Sequence, residues 1–146
     1  MQYTTGNTGK IIVMRLEDGD PMYDSIIKAA EEERIQHGMV WVIGGIQNGG
    51  IVVGPEDNHS RPPVPMTATF TDAHEIMGVG TLFPNSDGKI TLHMHAAMGR
   101  GNKVIVGCPR NGADCWLINE VVIMELTDVK AKRVMDEKSG FELLEV

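Results

Sequence analysis

Lys89-Ile90-Thr91-Leu92-His93-Met94-His95-Ala96-Ala97-Met98 decides the reading of this chain. The run has the composition of a β-strand, and alternate strand residues face one side. His93 and His95 therefore project together, while Leu92 and Met94 face the other way. Their Cα atoms are expected about 6.5–7 Å apart, a span that one metal ion bridges with two imidazoles. Cys108, after a short basic segment, supplies a third and softer ligand if the next strand folds back beside the first. Three protein ligands leave one coordination position open, the pattern of a catalytic rather than a structural zinc site. The plainer alternative is a solvated, hydrogen-bonded histidine pair beside a cysteine that acts as a small buried hydrophobe.

Outward from that strand, the chain alternates short apolar runs and turn signals. Pro84-Asn-Ser-Asp-Gly88 is a turn, preceded by a strand from His74 to Phe83 and another from Met66 to Phe70. Lys103 to Cys108 and Trp116 to Leu126 read as the strands that follow. Further strands are expected at Lys10 to Leu16, Met39 to Ile46, Ile51 to Gly54, Lys132 to Met135 and the tail from Phe141. Gly44-Gly45 suggests a bulge, and Gln47-Asn-Gly-Gly50 a hairpin turn. One helix is expected from a cap at Asp24 or Ser25 to an end at Gly38, with His37 a surface residue suited to its C-terminal turn. Pro55 to Pro65 is a proline-rich loop and a candidate flap. Many strands and one substantial helix predict an α+β single domain over 1–146 with a mainly antiparallel sheet.

Composition narrows the function classes. Hydrophobic residues make up 42% of 146 residues, which suits a globular core, and no apolar run approaches the ~20 residues of a membrane span. The first ten residues have no apolar core or cleavage signature, so they do not read as a signal peptide and a cytoplasmic location is expected. Two cysteines, Cys108 and Cys115, make no disulfide framework. A redox pair across the turn between them is the alternative. A net charge of −7 disfavours non-specific coating of nucleic acid, although Arg100, Lys103 and Arg110 form a local basic group near the proposed ligands. Glu75 and Glu120 are strand carboxylates that could move a proton or orient a metal-bound histidine; otherwise they are ordinary outward-facing charges. Gly6-Asn-Thr-Gly-Lys10 lacks the spacing of a phosphate loop.

Several of these pieces, in this order, resemble the plants and prokaryotes conserved (PPC) domain family. They are Asp24-Ser25-Ile26, the strand ending Ile43-Gly44-Gly45, and Glu75-Ile76-Met77-Gly78-Val79-Gly80-Thr81-Leu82. Leu92-His93-Met94-His95-Ala96-Ala97-Met98-Gly99 and Val106-Gly107-Cys108 follow, where the family commonly has L-H-x-H-A-x-L-G and G-G-H. The resemblance runs from about Lys10 to Val146 and implies an α+β domain that forms homotrimers. Several prokaryotic members are similar in fold to acetolactate decarboxylase, whose metal is held by an HxH pair and a third histidine. Carried over, this implies a zinc or other divalent transition-metal site at His93, His95 and Cys108, with cysteine replacing the usual histidine. If the chain is an enzyme, the expectation is a metal-dependent lyase or hydrolase acting on a small oxygen-rich metabolite, with Arg100 neutralising a carboxylate and Glu75 or Glu120 moving a proton. The alternative that the family implies is a DNA-associated regulatory protein. This chain lacks the Arg-Gly-Arg-Pro AT-hook of the plant members.

Overall fold

The structure is a computed structural model and describes residues 1–110 and 112–146. Among the described residues, ten strands and one helix follow in order: β1 (Asn7–Glu17), α1 (Met22–Glu32), β2 (Gly38–Gln47), β3 (Gly49–Pro55), β4 (Pro65–Phe70), β5 (His74–Pro84), β6 (Ile90–Arg100), β7 (Lys103–Pro109), β8 (Asp114–Thr127), β9 (Lys132–Asp136) and β10 (Phe141–Glu145). Eight strands form one sheet in the order β1-β8-β2-β5-β6-β7-β3-β4, and β9 and β10 form a separate hairpin. Every pairing between these strands is antiparallel. The chain is thus a single domain with a mostly antiparallel sheet and one short helix.

Strand alternation gives the sheet two unlike faces. One lateral row runs Ile123, Val40, Gly80, Met94, and the next runs Val121, Val42, Gly78, Ala96. The side chains of these rows are buried, and Met22, Ile26 and Ala30 of α1 belong to the same core. The opposite rows, among them Val13, Trp41, Val79 and His95, stay exposed.

Three sequence expectations shift for physical reasons. First, α1 starts at Met22 behind Pro21, whose fixed φ suits a helix start, so Asp24 and Ser25 lie inside the first turn instead of capping it. The helix ends at Glu32 rather than near Gly38, because Arg34 takes a left-handed φ of 60°. Arg34 N–H donates to Glu31 O and Ile35 N–H to Ala30 O, a Schellman closure anchored by fully buried Ile35. His37 then lies beyond the helix, half-buried, 3.0 Å from Ala131 O and edge-on to Phe83.

Second, the turn at Gln47–Gly50 makes no hairpin. Both edges of β2 are taken by β8 and β5, so β3 departs to pair with β4 and β7. Third, β7 and β8 are not neighbours, so Cys108 and Cys115 do not face each other across a hairpin; both are free and buried. Asn111, between them in the sequence, lies outside the described residues. Cys115 sits in the core opposite Ile46, its thiol 3.6 Å from Leu16 O.

The bulge expected at Gly44-Gly45 is present as a register shift between β2 and β8. Gly44 has φ 134°, and a Cβ there would collide with Ile118 O. The buried Asn119 amide fills the gap and donates to Gly45 O at 2.7 Å.

Candidate metal centre

β6 and β7 pair from Arg100↔Lys103 to Ala96↔Gly107, and there the ladder stops. Beyond Gly107, β7 turns to β3, with Cys108 opposite Val52 and Pro109 opposite Ile51. Gly107 permits this crossing, because a Cβ there would strike Val52 O. The parting of β6 and β7 opens a cavity of about 1010 Å³. His93, His95 and Cys108 line it, with Arg110 and Arg133, under Pro55, Pro63 and Pro65 of the proline-rich loop. That loop therefore forms part of the cavity wall, held in a turn by Asp57, whose carboxylate accepts from Ser60 Oγ and from the Ser60 and His59 amides.

The three ligand atoms of His93, His95 and Cys108 lie within 4.8 Å of one another. Zinc bonds of about 2.0–2.3 Å in a tetrahedron set such atoms about 3.3–3.8 Å apart, so small side-chain rotations close the set. The two imidazoles meet edge to face at 5.1 Å. His93 lies opposite Thr81 and His95 opposite Val79 across β5. Two nitrogens and one sulfur fit a divalent transition metal of zinc type.

Two arginines, Arg110 and Arg133, and one carboxylate, Glu142, share the cavity lining with the cluster. The His93 imidazole titrates below its usual range, first because desolvation penalises its charged form, then because Arg133, His95 and Arg110 repel a proton. A neutral imidazole is the form that binds metal. Burial pushes the nearby Tyr23 phenol up, with Cys108 reinforcing and Arg110 opposing the shift. Its hydroxyl donates to Pro109 O at 2.8 Å and so anchors the end of β7 to α1.

The other expected site residues are elsewhere. Arg100 stands at the far end of β6, where it donates to Ala73 O at 2.8 Å and lies 3.8 Å from the Asp72 carboxylate. With Lys103 it lines a separate depression, so the basic group of Arg100, Lys103 and Arg110 is split between two places. Glu75 is opposite Gly99, four residues along β6 from His95, or about 13 Å. Glu120 lies between Arg15 and Ile43, three strands from β6, or about 14 Å. None of the three joins the His/Cys cluster within this chain.

Arg133 is the site residue that sequence reasoning missed. It comes from the C-terminal hairpin, is only 8% exposed, donates to Thr81 Oγ1 at 2.9 Å and stacks its guanidinium 5.9 Å from the Phe83 ring centre. A single arginine in a short alternating strand, well after Cys108, carries no spacing signal.

The chain matches the Plants and Prokaryotes Conserved (PCC) domain over residues 3–127. It belongs to that family. Solved structures agree with the fold. A metal-containing protein of Archaeoglobus fulgidus has 21% identity and a TM-score of 0.84, with 100% of each chain covered. A plant- and prokaryote-conserved (PPC) protein of Pyrococcus horikoshii has 20% identity and a TM-score of 0.84, covering 100% of this chain and 98% of that one. A candidate DNA-binding protein of Ralstonia eutropha has 16% identity and a TM-score of 0.72, covering 92% and 90%. At these identities the likeness shows the PPC fold alone. No curated protein matches the chain. Among the described residues, no helix is long and apolar enough to cross a membrane.

Proposed function

We propose that this PPC-family chain is a cytoplasmic homotrimer that holds a divalent transition metal, zinc by its donor set, at His93, His95 and Cys108. There it binds or transforms a small oxygen-rich metabolite, with lyase or hydrolase chemistry as the reaction class. The carrying observation is the convergence of three ligand atoms within 4.8 Å on the wall of a cavity large enough for a metabolite. The description of the Archaeoglobus fulgidus neighbour as metal-containing supports it. A bound metal would polarise a ligand oxygen as a Lewis acid. The chain's own groups divide the remaining work: Arg110 and Arg133 attract negative charge, and the proline-rich loop and β9–β10 restrict water. Arg100, Glu75 and Glu120 receive no part in this chemistry, given their distance from the cluster.

Self-association is supported by the outer sheet face. Val13 (78% exposed), Val104 (67%), Met77 (66%), Val106 (60%) and Ile43 (52%) face solvent there, an apolar surface of the kind that marks an interface. Competition with a chromophoric zinc chelator tests the site, and sedimentation equilibrium tests the trimer. Submicromolar zinc affinity and a mass of three chains are expected. Zinc binding no tighter than in a His93→Ala, His95→Ala double variant contradicts the site.

A second reading, DNA-associated regulation, is favoured by the description of the Ralstonia eutropha neighbour. The net charge of −7 and the pairing of Arg100 with Asp72 oppose it. Fluorescence anisotropy with duplex DNA decides: binding that weakens steeply with salt supports this reading, and no binding at low salt removes it.

A further inference from the structure

Arg133 poses a problem of charge. A guanidinium carries five N–H donors and stays protonated in proteins. Here one hydrogen bond, to Thr81 Oγ1, is made among the described residues, and the Nε–H is buried with no partner. No Asp or Glu among the described residues lies within 4.0 Å of it. Glu142 on β10 and Cys108 act on it from farther away, and both favour its charge. A cation withdrawn from water without an anion is costly, and a ligand that supplies the anion relieves that cost.

The placement is specific. Thr81 and Phe83 hold the planar group in one orientation at the cavity wall, beside His93. Arg110 adds a second charge from the exposed side. Around them the lining is mostly apolar, with Val52, Leu92, Met135, Phe141 and Leu143, and it holds one carboxylate, Glu142. We infer that Arg133 is the anion anchor of this cavity, and that the ligand it selects is a small carboxylate with an apolar body. A guanidinium fork matches the two oxygens of a carboxylate, and the aliphatic wall takes a branched hydrocarbon better than a polyhydroxylated chain. The inference rests on the reading of this cavity as a ligand site, but it does not need the metal. The anchor comes from β9, beyond the 3–127 span of the family match, so it is a feature of the C-terminal hairpin.

The test is an NMR titration of the ¹⁵N-labelled protein, metal-stripped and zinc-loaded, with 3-methylbutanoate and with its neutral twin 3-methylbutanamide. In metal-free protein the acid is expected to bind about tenfold tighter than the amide, the worth of a charge-assisted hydrogen bond. Arg133→Met should equalise the two. Equal affinities in the metal-free wild type, or an acid preference unchanged in Arg133→Met, overturn the inference. A preference confined to the zinc-loaded protein also overturns it, because the metal then does the selecting. If the protein retains no zinc yet prefers the acid through Arg133, the metal reading fails and this inference stands. Should Arg133→Met fail to fold, the wild-type Arg133 Nε–H resonance decides. It shifts with acid and not with amide if the anchor is real, and acid binding that leaves it unmoved contradicts the anchor.

Discussion

The two ends of β6 carry the same kind of residue and reach opposite outcomes. At one end His93 and His95 face a cavity, because β7 leaves the ladder at Gly107 and crosses to β3. At the other end the β6–β7 ladder closes as far as Arg100↔Lys103, and Arg100 is occupied by Asp72 and Ala73 O. Arg133, buried and with no carboxylate within 4.0 Å among the described residues, is the counterpart of Arg100 at the open end. Basic residues thus become available for chemistry where backbone pairing stops and no acid is supplied. Proximity in sequence does not decide it.

The largest expected effect comes from the core beneath the open end. Met94 is fully buried beneath the histidines, and Met94→Ala should cost about 2–5 kcal/mol, read by urea denaturation. Its zinc stoichiometry should not change in the folded state, since no ligand is removed.

Next, the two cysteines separate the open end from the core. Cys108→Ser should weaken zinc binding by at least about tenfold, measured by chelator competition, while Cys115→Ser should leave it unchanged. Burial, reinforced by Asp20 and Asp18, pushes the Cys115 thiol up to about 11, so in folded protein it should resist iodoacetamide at pH 8. Mass spectrometry after brief alkylation checks this.

A smaller effect is the pH dependence of the metal-free fold. His93 titrates below its usual 6.5 in the folded state, so the unfolded chain takes up a proton first as the pH falls. The His93 contribution is complete above about pH 6.5 and is lost as pH drops through its folded value. Denaturation midpoints of His93→Gln should therefore fall less steeply between pH 7 and 5 than those of the wild type.

The smallest effect belongs to the closed end. Arg100 and Asp72 are exposed, so Arg100→Ala should change stability by about 0–1 kcal/mol and zinc affinity not at all. A large loss of zinc binding in Arg100→Ala would erase the contrast between the two ends.

Much of this fold is legible in the sequence because β6, β5 and β2 alternate small or apolar inward residues with outward ones, and turns such as Pro84–Gly88 carry their glycine and asparagine. The cluster of His93, His95 and Cys108 is legible too, through strand parity and a short connection. What escapes is long-range pairing. Nothing local in Gln47–Gly50 says that β2 is flanked on both edges, and nothing near Arg34 marks it as a helix end in place of glycine. Arg133 escapes for the same reason, since a hairpin beyond β8 delivers it across the sheet. Arg100 misleads because its neutralising partner, Asp72, lies on another connection.

The most direct measurement is the metal content of untagged protein, by elemental analysis, beside the His93→Ala variant. About one zinc or other transition-metal ion per chain in the wild type, absent from the variant, is the predicted result. No metal in either protein after growth with added zinc, or equal metal in both, would contradict a metal centre at His93, His95 and Cys108.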